Sequence, residues 1–284
     1  MIMIKRVAAL AAAALCAVAS AQTTEQTTAP AAGDAVAPAP TPSVTGNFSL
    51  VSDYRFRGIS QSWAQPAVQG GIDYTHASGF YLGNWNSSIS SNSYNNGASL
   101  EMDLYGGYRF EPVKDLTLDV GVLRYQYPGA RLNSAPATPT GEKYDNTEVY
   151  VGLTRGPFNA KLSYAMTDYF GLNSTTSGYA YWSALPARGD SKGTSYIDLN
   201  YNPDLGNKLT LGLHVGYTSV RNYSELSYAD YKVSLSKEVG GFNLGLALVG
   251  SNAETTYYQA GNSAGQDPQQ VGKTTVVLSV GKTF

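Results

Sequence analysis

From Gly46 onward the apolar residues of this chain recur at every second position, in segment after segment. Successive side chains of a β-strand point to opposite faces, so a period of two specifies strands with two unlike faces. Residues 46–58, GNFSLVSDYRFRG, set the pattern. Phe48, Leu50, Tyr54 and Phe56 share one phase, broken by Ser52, while Asn47, Ser49, Asp53, Arg55 and Arg57 share the other, broken by Val51. A soluble sheet with its apolar face on a core would show this alternation. So would a membrane barrel with its apolar face on lipid and its polar face on a lumen.

Composition favours the second solution. Charged residues make up 14% of the chain, against roughly 25% in ordinary soluble domains. Gly, at 30, and Tyr, at 22, are both abundant, which suits curved sheets and interfacial aromatic belts. A mean hydropathy of -0.21 with so few charges means that Asn, Ser, Thr, Gln and Tyr supply most of the polar face. The formal net charge of -2 gives no electrostatic reason to expect a nucleic-acid partner. The single cysteine, Cys16, lies in an N-terminal apolar segment. A chain processed beyond it has no disulfide and no cysteine metal site, and His76 and His214 are too few for a histidine metal cluster. No metal or cofactor is expected.

The first 21 residues read as a secretory signal: Lys5 and Arg6, an apolar centre from Val7 to Val18, and Ala19-Ser20-Ala21 as cleavage site. The apolar run, at roughly 12 to 15 residues, is shorter than the ~18 needed to span a bilayer. Leu15 before Cys16 argues against lipoprotein processing. Residues 22–45, rich in Ala, Pro and Thr, predict a disordered periplasmic tail. The expected organisation is a signal peptide at 1–21, the tail at 22–45 and a barrel at 46–284.

The spacing predicts twelve strands, at 46–58, 66–75, 80–90, 99–110, 116–127, 147–154, 158–169, 195–201, 209–217, 228–237, 242–252 and 273–284. In the third, Tyr81, Trp85 and Ile89 share a phase assigned to lipid, leaving Phe80 and Leu82 on the other. In the fifth the phase slips near Leu123, which predicts a bulge that would turn Arg124 inward. The connections after even-numbered strands are tight, and those after strands three, five, seven and eleven are longer and polar. Short turns at one end and long loops at the other mark outer-membrane barrels. The expected fold is all-β, a transmembrane antiparallel up-and-down barrel of about twelve strands, with short periplasmic turns and longer extracellular loops. Its apolar phase ends, at the short-turn side, in Phe48, Tyr74, Tyr81, Tyr108, Phe110, Phe158, Tyr201, Phe242 and Phe284, an aromatic girdle at the membrane interface. Phe284 closing an alternating strand matches the signal read by the barrel assembly machinery. Lys282 lies on the lipid phase, where its stem can snorkel to headgroups.

Residues 51–85, VSDYRFRGISQSWAQPAVQGGIDYTHASGFYLGNW, together with Tyr-Pro-Gly at 127–129, Thr-Glu-Val-Tyr-Val-Gly at 147–152, Leu-Thr-Leu-Gly-Leu-His-Val-Gly-Tyr at 209–217 and the terminal Ser-Val-Gly-Lys-Thr-Phe, resemble the TorF-type porin family of proteobacteria. The resemblance spans nearly everything after residue 45 and implies a porin in the outer membrane of a Gram-negative bacterium. It supplies no substrate.

On the inward phase lie Asp53, Arg55, Arg57, Asp73, Glu101, Asp103, Arg109, Asp119, Glu148, Lys161, Asp198, His214, Asp230 and Lys232. These are the expected pore-lining residues, with Arg55, Arg57 and Asp53 the candidate selectivity filter. Both signs of charge line the wall, so they either set ion or solute preference in a wet channel or pair into a network that fills the barrel. Inner-phase glycines at 71, 107, 121, 212, 245 and 281 leave space and favour a narrow channel. The expected function is passive diffusion of ions or small hydrophilic solutes. The alternative is a plugged structural or adhesion barrel with binding loops. An enzyme is not expected: covalent catalysis needs a nucleophile with a base and an orienting group, and His214 falls on the inner phase while His76 sits in a short turn. Expected partners are outer-membrane lipid, lipopolysaccharide, the assembly machinery and the solutes.

Overall fold

Each of the twelve alternating segments forms a strand, and the strands close on themselves. The computed structural model describes residues 42–93, 98–134, 138–178, 185–260 and 268–284; the expected signal peptide and most of the expected tail lie outside the described residues. The wall strands are β1 (Ser43–Val51), β2 (Ala67–Thr75), β3 (Phe80–Ser88), β4 (Leu100–Val113), β5 (Leu116–Gln126) and β6 (Asn146–Arg155). They continue as β7 (Phe158–Ala165), β8 (Ser195–Tyr201), β9 (Leu209–Ser219), β10 (Tyr228–Val239), β11 (Phe242–Ser251) and β12 (Thr275–Thr283). Every strand pairs antiparallel with its sequence neighbours, and β1 pairs with β12 to close the barrel. Closure removes the free edges that an open sheet would leave.

β1 begins three residues earlier than the sequence boundary at 46. Ser43, Val44 and Thr45 pair with Thr75, Tyr74 and Asp73 of β2. Val and Thr are good strand formers, and β2 is long enough to offer them partners.

The outside of the barrel is apolar. Leu213, Val215, Tyr231, Val233, Leu235, Leu244, Leu246, Leu248, Val276 and Leu278 all face outward and are exposed. Most of the expected girdle aromatics face outward: Phe48, Phe110, Phe158, Phe242 and Phe284 are exposed, Phe158 lies 4.5 Å from Tyr201, and Tyr108 lies 5.5 Å from Phe110. Tyr81 is the exception. Its place on the outside is taken by Phe80, 4.8 Å from Tyr108.

That exception belongs to a wider correction, because the phase of β3 is inverted. Phe80 and Leu82 face outward, at 62% and 60% exposure, whereas Tyr81, Trp85 and Ile89 are buried inside. Large apolar side chains were assigned to lipid, but here they have a second apolar place to go. A hydrophobic core fills the extracellular half of the lumen, built from Tyr54, Phe56, Trp85, Leu123, Tyr125, Tyr144, Leu172, Tyr223 and neighbours. The same core explains Leu123. β5 runs without a bulge there, Leu123 points inward, and Arg124 points outward to Asp145 at 3.0 Å. The register shift in this region lies instead in β4, between Phe110 and Val113.

Candidate functional site

The predicted first strand stops at Val51, and residues 52–66 turn into the barrel. Asp53, Tyr54, Phe56, Ile59, Ser60, Gln61, Ser62 and Trp63 are all buried there. The fold of this plug is a two-residue ladder, Arg55 with Ser60 and Phe56 with Ile59. Arg57 and Gly58 form its tip, with φ of 46° and 78°. Two central residues at positive φ define the mirror-image turn that suits a tight hairpin. Asp53 holds the base together: its Oδ1 accepts from the Ser60 hydroxyl at 2.6 Å and from the Ser62 hydroxyl at 3.1 Å, and its Oδ2 accepts from Arg55 Nε at 2.6 Å.

The plug reaches walls on all sides. Tyr54 donates its hydroxyl to Glu101 at 2.9 Å and sets its ring edge-on to Trp85. Phe56 packs 5.4 Å from Tyr125. Arg55 Nη1 donates to the carbonyls of Val271 and Lys273, next to β12. At the tip, Arg57 Nη2 donates to both oxygens of Glu148, at 3.0 and 2.7 Å, and Nη1 donates to the Tyr169 hydroxyl. The Arg57 guanidinium also lies 4.0 Å from the centre of the Tyr196 ring. Both members of this ion pair are about 95% buried. On the opposite side, Gly58 is pressed against Asp230 and the Gly250 carbonyl.

Tyr54 and Phe56 are therefore not on lipid, and Asp53, Arg55 and Arg57 are not on the wall. They are still inside. Arg57 pairs with Glu148 across the barrel rather than with Asp73, Glu101 or Asp103. The remaining predicted pore residues do line the wall, in two groups. Glu101, Asp103, Glu148, Lys161, Asp198 and Asp230 are buried around the plug. His214 sits between two of them, with Nδ1 3.0 Å from Asp198 and Nε2 2.7 Å from Asp230, and Lys232 pairs in register with His214. Nearer the short turns, Arg109 meets Asp119 at 2.9 Å, Tyr81 donates to Asp119, and Tyr105 donates to Asp73.

The inner glycines divide the lumen into two sectors. On β3 to β9, tyrosine rings lie over glycines of the adjoining strand: Tyr105 over Gly83, Tyr81 over Gly107, Tyr150 over Gly121 and Tyr196 over Gly216. The space expected at Gly107 and Gly121 is thus occupied. On β9 to β12 and β1, Gly212 faces Ser234, Gly245 faces Ser279 and Gly281 faces Ser49. No ring covers these three, so this sector of the periplasmic half is the roomier side.

The arrangement defines a class: a closed twelve-stranded barrel, apolar outside, with an apolar core and buried ion pairs within, whose first loop occupies its own lumen. The chain belongs to Gcw_chp, a family of bacterial proteins of unknown function, whose profile matches residues 35–284. No curated protein matches its sequence. Among solved structures it is similar to the KdgM porin, at 9% identity and a TM-score of 0.47 over 84% of this chain and 98% of that one. It is similar also to the NanC porin, at 10% identity and 0.46 over 85% and 98%, and to OccAB3 of Acinetobacter baumannii, at 9% identity and 0.39 over 86% and 65%.

Proposed function

We propose that the protein is a porin-like channel of the bacterial outer membrane, held closed by residues 52–66, which passes ions or small hydrophilic solutes when that plug is displaced. The observation that carries this reading is the plug itself. It is fastened at its tip by one ion pair and at its base by hydrogen bonds, while the sector of the periplasmic half between β9 and β1 presents Gly212, Ser234, Gly245, Ser279, Gly281 and Ser49 to the lumen. A lumen filled for stability alone would have no use for that polar sector, since packed apolar side chains fill a barrel at lower cost. The apolar belt and girdle support a lipid-embedded position, with lipopolysaccharide on the long-loop side and the assembly machinery reading the Phe284 strand. The finer resemblance to TorF-type porins fits the same reading. His214 supports a non-enzymatic role, because both ring nitrogens face carboxylates and none is left to activate a nucleophile.

The second reading, a permanently plugged barrel acting through its loops, is favoured by how many walls the plug touches. Single-channel recording in a planar bilayer separates the two. The purified protein is expected to show long closures with rare steps, and a variant with residues 53–65 replaced by a short Gly/Ser loop is expected to conduct steadily. A folded, inserted loop variant that stays silent refutes the channel.

A further inference from the structure

Correcting the phase of β3 leaves two amides on the wrong side of the wall. Asn84, the central residue of β3, pairs in register with Ile72 of β2 and Leu104 of β4, and both of those face outward and are exposed. Register partners in an antiparallel sheet share a face, so Asn84 faces outward with them. Asn86, two residues on, lies between Gly70 and Met102 on the same face, and Ser88 follows. Among the described residues, every other strand keeps its outward charged and amide side chains, such as Arg124, Lys237 and Lys282, close to a strand end. β3 alone carries amides in the middle of the apolar belt.

The amides are only loosely satisfied within the chain. Asn86 Nδ2 donates to Asn84 Oδ1 at 2.6 Å, and Asn84 Nδ2 donates to the Asp103 carbonyl at 3.1 Å. The other two bonds, Asn86 Nδ2 to the Gly70 carbonyl and Asn84 Nδ2 to Asn86 Oδ1, are stretched to 3.4 Å. Each carboxamide oxygen also keeps a free lone pair. Beside them, Gly70 and Gly106 have no side chain to cover the surface. Transmembrane helices associate through polar side chains set among small residues, because backbones approach closely and hydrogen bonds are completed across the contact; the amides and glycines of β2–β4 offer a barrel wall the same means.

We propose that the outward face of β2 and β3 around Asn84 and Asn86 is the contact between two copies of this chain, related by a two-fold axis. A carboxamide is both donor and acceptor, so the same patch is its own complement under two-fold symmetry. The stretched donors and the spare oxygens would be completed by the partner copy's asparagines. The inference rests on the reading that the apolar belt faces lipid, and the test keeps the two apart.

Val68 faces outward at the edge of this patch, while Leu246 faces outward on β11, a different sector of the ring. The full chain is expressed with Val68→Cys or Leu246→Cys, and isolated outer membranes are oxidised. The unsubstituted chain is the blank for Cys16. Val68→Cys is expected to give a covalent dimer and Leu246→Cys a monomer. Adding Asn84→Leu with Asn86→Leu to Val68→Cys is expected to cut the dimer at least tenfold, with the heat-modifiable folded band unchanged. A folded, membrane-embedded chain that cross-links no better at Val68→Cys than at Leu246→Cys overturns the dimer alone, as does a leucine pair that leaves cross-linking intact. Absence of a heat-modifiable band from the outer membrane overturns the lipid-facing reading, and the dimer with it.

Discussion

Glu148→Ala is the perturbation that most directly tests the plug. It leaves the Arg57 guanidinium with the Tyr169 hydroxyl and the Tyr196 ring face as its main polar company, in a site where the side chain is 6% exposed. Removing one partner of a buried ion pair costs about 3–5 kcal/mol, because a charge is left buried without compensation. Arginine cannot shed its proton to avoid this, so the tip of the plug must leave. At ~1.4 kcal/mol per factor of ten, the population with the plug out should rise by roughly two to three and a half orders of magnitude. Gln61, 5% exposed on the plug, replaced by Cys reports that population through its rate of reaction with a charged maleimide. Labelling should be slow with Glu148 present and faster by that factor in Glu148→Ala. Arg57→Met with Glu148→Met should return it towards the slow rate, because an apolar pair replaces a buried ion pair at little cost. If Glu148→Ala labels as slowly as the parent while remaining folded, the ion pair is not the latch.

Three further outcomes follow from the same geometry. Gly58→Ala should destabilise the seated plug by about 1–3 kcal/mol, since φ is 78° and a Cβ would meet Asp230 and the Gly250 carbonyl at 2.8 Å; faster labelling at Gln61→Cys checks it. Asp103 is buried with neither carboxylate oxygen hydrogen-bonded, so Asp103→Val, which leaves no unpaired polar atom there, should raise the unfolding midpoint in guanidinium by an amount worth about 1–3 kcal/mol. In the extracellular loops, the hydrogen bond from Arg188 holds the Glu225 carboxyl below its ordinary value. A depressed carboxylate contributes stability above its unfolded pKa and loses it as pH falls through the folded value. Amide exchange at residues 188–191 and 222–226, corrected for intrinsic rates, should therefore accelerate in that acid range, and Glu225→Gln should abolish the step.

The wall of this barrel was legible because lipid makes a uniform demand. Each of the twelve alternating segments holds a strand, although the first ends at Val51 rather than Gly58 and the seventh at Ala165 rather than Tyr169, and Phe158 and Phe242 face outward. The interior was not legible, because its demand is mixed. Trp85 and Ile89 were assigned outward on hydrophobicity, yet an apolar core inside the lumen takes them. Leu123 suggested a bulge for the same reason. The plug was hidden because Tyr54 and Phe56 continue the alternation of β1 past Val51, and because Arg57-Gly58 is not the Asn-Gly pair that announces a tight hairpin. That Asp53, Arg55 and Arg57 lie inside was readable from their phase; that they lie on a loop was not. The ring contacts that bring Arg57 to Glu148 join residues far apart in sequence, and no local pattern encodes them.

The tyrosines over glycines carry a consequence for how the wall is assembled. On the lipid side, leucines and valines are interchangeable, and sliding one strand by two residues along its neighbour would swap like for like. Inside, the swap is not neutral. β3 and β4 are matched as Tyr81 with Gly107 and Gly83 with Tyr105. A slip of two in one direction sets Tyr81 against Tyr105, two rings competing for one place. A slip in the other sets Gly83 against Gly107 and leaves a hole. Tyr150 with Gly121 imposes the same choice between β6 and β5. The correct alignment of neighbouring strands is thus proofread from within, by a few lock-and-key matches, while the outer surface stays free to be generically greasy.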